Sequence, residues 1–206
     1  MGVFDFLRPQ KTLERRNREV VEMLLDYYVP HATRLASDLG PDDDGNPLVP
    51  VLIASAMSFR TPALVGAVVF AEREYAPWNI RVLSKDDFFS LGTFLAWQLR
   101  ASFDALFVDV YEDAEDRAIA SKMLDGLTRT IFPSSEYLDV LMGLIGEAEP
   151  DLGEGYVLAR GTCEILHFRE PSSQQIASVR EYMAGLYALA VRETTGDVLE
   201  AIRRSA

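Results

Sequence analysis

The residues that come closest to chemistry in this chain are Cys163, Glu164 and His167, in the run Cys163-Glu164-Ile165-Leu166-His167. On a helix Cys163 and His167 are i,i+4 and Glu164 and His167 are i,i+3, so all three can face one point. Glu-x-x-His on a helix is half of a di-iron carboxylate site, which needs a second such motif and two further glutamates. The only other histidine is His31, and Tyr28 stands where its glutamate would be required. The second half is missing. Thiolate and imidazole suit zinc, so a mononuclear site from Cys163, His167 and His31 is geometrically open, and a small-molecule or metal site near Cys163, Glu164 and His167 is the alternative carried forward. If the segment is a strand instead, Glu164 points away from the other two.

Other reaction classes find no purchase. There is no Gly-x-Ser-x-Gly elbow, and two histidines leave little choice of general base. Phosphate-cradling loops are absent, and Gly153-Glu154-Gly155 would repel phosphate. The loop from Asp42 resembles a calcium loop only superficially: it lacks the central glycine, and its twelfth residue is Ile53 rather than glutamate. The reading leans away from an enzyme, and no cofactor is implied.

Charge is the stronger signal. Between Asp104 and Glu154 stand 13 acidic and 3 basic residues, a net of −10 out of −12 for the 206-residue chain. Such a surface repels phosphate backbones and membranes and attracts basic partners. The sharpest cluster is Asp109, Glu112, Asp113, Glu115 and Asp116, expected as the partner-binding surface. The bland reading of the same residues is a solvated face that keeps the protein soluble. A mimic of nucleic acid would need carboxylates spaced like phosphates along one edge.

The elements that position these residues follow from periodicity and caps. With 49% apolar and 25% charged residues the chain can bury a full core. One cysteine excludes an internal disulfide and makes a reducing, cytoplasmic compartment the default. The start, with Val3, Phe4, Phe6 and Leu7, lacks a secretory h-region, and Phe6 spoils a myristoylation motif. Thr12 to Val29 predicts an amphipathic helix with Val20, Leu24 and Tyr27/Tyr28 inward and Pro30 ending or kinking it. Gly40 to Pro50 predicts a loop. The apolar run Val51 to Ala71 is long enough to span a membrane, but Arg60 and Thr61-Pro62 favour two buried elements.

Ser84 with Asp87 predicts a capped, aromatic-rich helix running toward Val110, the most buried of the fold. Its Phe88, Phe94, Trp97 and Phe103 read as core, with an apolar ligand pocket as the lesser alternative. Asp113 predicts the start of a helix with Ile119, Met123, Leu127 and Ile131 inward, and Ser134 the start of another. The 156–168 stretch is open between helix and β-hairpin. Ser172 with Gln175 predicts a further helix, broken at Gly196 before a short last turn. The expectation is a mainly α, single-domain bundle of about eight helices, with a small β-hairpin near 156–168 as the variant. It comprises a helical segment over 10–39, a loop over 40–50 and a helical core over 51–206. The expected role is an interaction, adaptor or regulatory module for a protein partner, with small-molecule or metal binding as the alternative. Homodimerisation is compatible with either; nucleic-acid binding and a membrane span are not expected.

Overall fold

The fold turns on α2, Val49–Tyr75, the most apolar of the long described helices. In the computed structural model, which describes residues 9–39, 48–75, 83–133, 154–166 and 171–205, it packs most extensively against α1 (Pro9–Leu39). It also contacts α3 (Lys85–Ala101), α5 (Ala114–Ile131) and α7 (Ser173–Ser205). Between α3 and α5 lies the seven-residue α4 (Asp104–Val110), and α6 (Glu154–Ile165) packs on α7. The chain is mainly helical, and no strand occurs among the described residues. The expectation of about eight helices covers the whole chain, including 134–153, which with its predicted Ser134 helix lies outside those residues; the described part holds seven helical segments.

Three helices run through residues that predict a break. Pro30 lies inside α1, and Pro62 inside α2, so the two elements expected on either side of Thr61-Pro62 are one helix. Gly196 lies inside α7. A mid-helix proline costs about 3 kcal/mol and a glycine about 1. Each site is flanked by buried apolar side chains whose contacts offset that cost: Tyr28 and Ala32, Met57 and Leu64, Ala190 and Val198. Burying one such apolar side chain is worth roughly 1.5–3 kcal/mol.

The caps fall where the sequence puts them. Asp87 N–H donates to Ser84 Oγ (3.2 Å) and Ser84 N–H to Asp87 Oδ2 (2.7 Å), a reciprocal box opening α3. Gln175 N–H donates to Ser172 Oγ and Ser172 N–H to Gln175 Oε1, opening α7 in the same way. The aromatic helix is shorter than expected: the chain turns at Ser102 and Phe103, and α4 restarts at Asp104. Phe103 is fully buried at that corner. The hub is also α2 rather than this aromatic helix. Over 154–165 the undecided stretch is helix α6, so the hairpin variant does not describe it.

The aromatic residues of α3 are used in packing. Phe94 is fully buried, as is Phe103 at the corner that follows the helix. Trp97 donates its Nε1–H to the Phe132 carbonyl at 3.1 Å, with the Arg129 guanidinium 5.0 Å from its ring centroid. Arg60, a charged residue near the middle of α2, reaches α7, where its Nη2 lies 2.8 Å from Asp197 Oδ2 and its Nε 3.7 Å from Glu193 Oε2. Val49–Phe70 is long and apolar enough to cross a membrane, and most of it is buried inside the fold.

Candidate interaction surface at the α4–α5 corner

All five carboxylates expected to bind a partner lie within one short stretch of structure. Asp109 is in the last turn of α4; Glu112 and Asp113 form the bend; Glu115 and Asp116 sit in the first turn of α5. Every one is exposed. The five divide by local role. Asp113 is the N-cap of α5 and accepts the Glu115 N–H at 2.6 Å. Glu115 and Asp116 complement the positive end of the helix dipole. Asp109 has the opposite situation, since an acid near a helix C-terminus is disfavoured there. Asp109 therefore stabilises neither helix end, and Glu112, one residue before the cap, makes no cap hydrogen bond among the described residues.

The basic side chain nearest in sequence does not neutralise the cluster. Arg117 donates Nη1–H to the carbonyls of Tyr111 and Glu112, both at 3.2 Å, and so ties the bend to α5. No ion pair of Asp109, Glu112, Glu115 or Asp116 occurs among the described residues. The half-buried Tyr111 registers the charge: burial pushes its phenol up, and the Asp116 carboxylate adds to the shift.

Behind the bend lies a buried clamp. Arg100 of α3, its side chain 9% exposed, donates Nη1–H to Asp104 Oδ2 at 3.0 Å. Its Nη2 donates to the Ser121 carbonyl (3.1 Å) and Oγ (2.6 Å). Ser121 Oγ in turn donates to Asp104 Oδ1 at 2.9 Å. Arg100 Nε faces Asp125 Oδ1 at 2.5 Å as an ion-pair contact rather than an aligned hydrogen bond. One guanidinium thus joins α3, α4 and α5 and fixes the angle at which the corner presents its acids. The planar fork of arginine suits this geometry, where a single ammonium could satisfy only part of it.

Two apolar side chains belong to the same corner. Val108, beside Asp109, is 62% exposed, and Ile119, one turn beyond Glu115 and Asp116, is 59% exposed. Ile119 overturns an expectation. The inward stripe of α5 is Ala120, Leu124, Leu127, Thr128 and Ile131: Leu127 and Ile131 face inward as predicted, but in the first half of the helix Ala120 and Leu124 take the places expected for Ile119 and Met123, and Met123 is only partly buried. The signal was present in the spacing, because Ala120, Leu124, Leu127 and Ile131 fit a 3.6-residue period better than a stripe starting at Ile119.

Of the metal candidates, Cys163 and Glu164 fall within the described residues. Cys163 is fully buried in the core on α6, and Glu164 is partly exposed on the adjoining face. Helix α6 ends at Ile165, and His167 lies outside the described residues. His31 is on the exposed side of α1, its ring 5.3 Å from that of Tyr27. No group of three metal-ligating side chains comes together among the described residues. Comparison with protein-family models, curated proteins and solved structures yields no match.

Proposed function

We propose that this chain is an interaction module, an adaptor or regulator, whose α4–α5 corner captures a basic protein partner in the cytoplasm. The observation that carries this reading is the pairing of exposed, uncompensated carboxylates with exposed Val108 and Ile119. The acids steer a basic partner and raise its association rate. The two apolar side chains supply area that gains by leaving water, without which an acidic face is only a solubilising one. The Arg100 clamp and the Arg117 tether hold the bend before any partner arrives, which lowers the ordering cost of association.

The test is affinity capture from lysate with the wild-type chain beside two variants, Asp109→Lys/Glu112→Lys and Val108→Ser/Ile119→Ser. These positions are exposed and cap no helix, so the variants keep the fold. Loss of a basic protein in both variants and at raised salt is the expected outcome; an unchanged captured set contradicts the proposal.

A further inference from the structure

A concavity on α1 and α3 shares no residue with the α4–α5 corner. It is a groove of about 520 Å³. Its floor is aromatic: Tyr27 and Phe89 meet edge to face with centroids 4.6 Å apart, and Met23 adds a thioether. Tyr27, predicted to face inward, is 40% exposed here while its neighbour Tyr28 is buried. Its rim is acidic, formed by Glu22 and Asp26 with Glu19 one turn earlier.

Three features of this groove select a cation. Glu22 and Asp26 are like charges at i,i+4, an arrangement that destabilises a helix unless a positive charge comes between them. Glu19 has its own cation, with Arg15 Nε 3.3 Å from Glu19 Oε1, whereas neither Glu22 nor Asp26 forms an ion pair among the described residues. The aromatic floor, finally, already holds an ammonium. Lys85 Nζ, from the first turn of α3, lies 5.5 Å from the Phe89 ring centroid. A cation within about 6 Å of a ring is attracted by its quadrupole.

We propose that this groove receives a lysine or arginine side chain from a basic peptide segment of a protein partner, in competition with the chain's own Lys85. The aliphatic stem of the incoming residue lies over Met23 and Tyr27, and its charged end meets Glu22 and Asp26. Lys85 acts as a resident occupant that lowers affinity for the incoming cation. This proposal stands without the corner reading, since it rests on different helices and different side chains.

The experiment is an NMR titration of the full chain with a short acetylated oligolysine peptide, and separately with free spermidine. The expected result is movement of the Tyr27 and Phe89 ring resonances and the Met23 methyl. Peptide affinity should fall roughly tenfold in Glu22→Lys/Asp26→Lys, as when two close charge pairs become repulsive, and rise a few-fold in Lys85→Gln. Because Glu22, Asp26 and Lys85 are exposed, these variants leave the core untouched. The proposal is overturned if no resonance of the groove moves, if the shifts are confined to the α4–α5 corner, or if the two charge reversals leave affinity unchanged. Spermidine binding as tightly as the peptide would assign the groove to a free amine instead and overturn the peptide reading.

Discussion

A β-carbon built on Gly92 would lie 2.9 Å from the Tyr28 hydroxyl oxygen, closer than a real side chain approaches. The glycine of α3 and the tyrosine of α1 are thus fitted to one another, with the Tyr28 ring held against Phe132 at 4.6 Å between centroids. The next two ring atoms would stand at 3.6 and 3.7 Å, which is ordinary contact. The hydroxyl alone is what forbids a side chain at position 92.

This relationship predicts a change of sign. Gly92→Ala gains about 1 kcal/mol of helix propensity but overpacks the core at a cost of about 1–3 kcal/mol, so the single variant should be the less stable. In a Tyr28→Phe background the obstructing atom is gone, and the same substitution should stabilise by up to about 1 kcal/mol. Tyr28→Phe itself should cost little, because the buried hydroxyl has Thr93 as a polar neighbour but makes no hydrogen bond of normal geometry with it. Urea unfolding of the four members of the cycle measures this; additive effects would contradict it.

Arg100 predicts a large and graded loss. Its removal in Arg100→Ala leaves the half-exposed Asp104 and Asp125 and the Ser121 carbonyl without their shared donor, and should cost about 1.5–3 kcal/mol, the range for hydrogen bonds to a charged group. Arg100→Lys keeps the charge but not the fork, and should cost less than Arg100→Ala yet remain clearly destabilising. Chemical denaturation of the two variants beside the wild type gives the order. A lysine variant as stable as the wild type would show that charge alone holds α3, α4 and α5 together.

Caps and charge were the legible part of this chain. Ser84 with Asp87, Asp113, and Ser172 with Gln175 all cap helices as their residue types predict, because the cap bond is local. Pro30, Pro62 and Gly196 were misleading, because their local penalties are outweighed by tertiary burial on both sides of each. The acidic corner could be read from composition alone. The exposure of Val108 and Ile119 could not, since it depends on which face of α4 and α5 the rest of the fold covers, and a one-residue shift of stripe moves an isoleucine from core to surface. Position 92 was equally opaque, because the need for glycine there comes from a side chain 64 positions away in sequence.

The buried phenols predict an alkaline limit to stability. Tyr187 is buried, with its hydroxyl donating to the Leu95 carbonyl at 2.9 Å, and burial pushes both it and Tyr28 well above the ordinary tyrosine value of 10.0. Below that value the phenols are neutral in both folded and unfolded chains, and stability is fully present. As pH rises past it, the unfolded phenols ionise while the buried ones remain neutral, so stability falls by about 1.4 kcal/mol per pH unit for each. Tyr187→Phe should lower stability near neutral pH by about 1 kcal/mol, through loss of the Leu95 bond, and make the alkaline decline shallower. Urea midpoints measured from pH 8 to 11 check both; a decline of unchanged slope would contradict the assignment.

The most direct test of the central claim is quantitative affinity capture at low salt. It compares the wild-type chain with Asp109→Lys/Glu112→Lys, with circular dichroism confirming equal helix content. A basic protein retained by the wild type is expected to be lost from this variant and from Val108→Ser/Ile119→Ser. Equal retention by all three chains, or no basic protein retained by the wild type, would contradict it and leave the corner as a solvated acidic face.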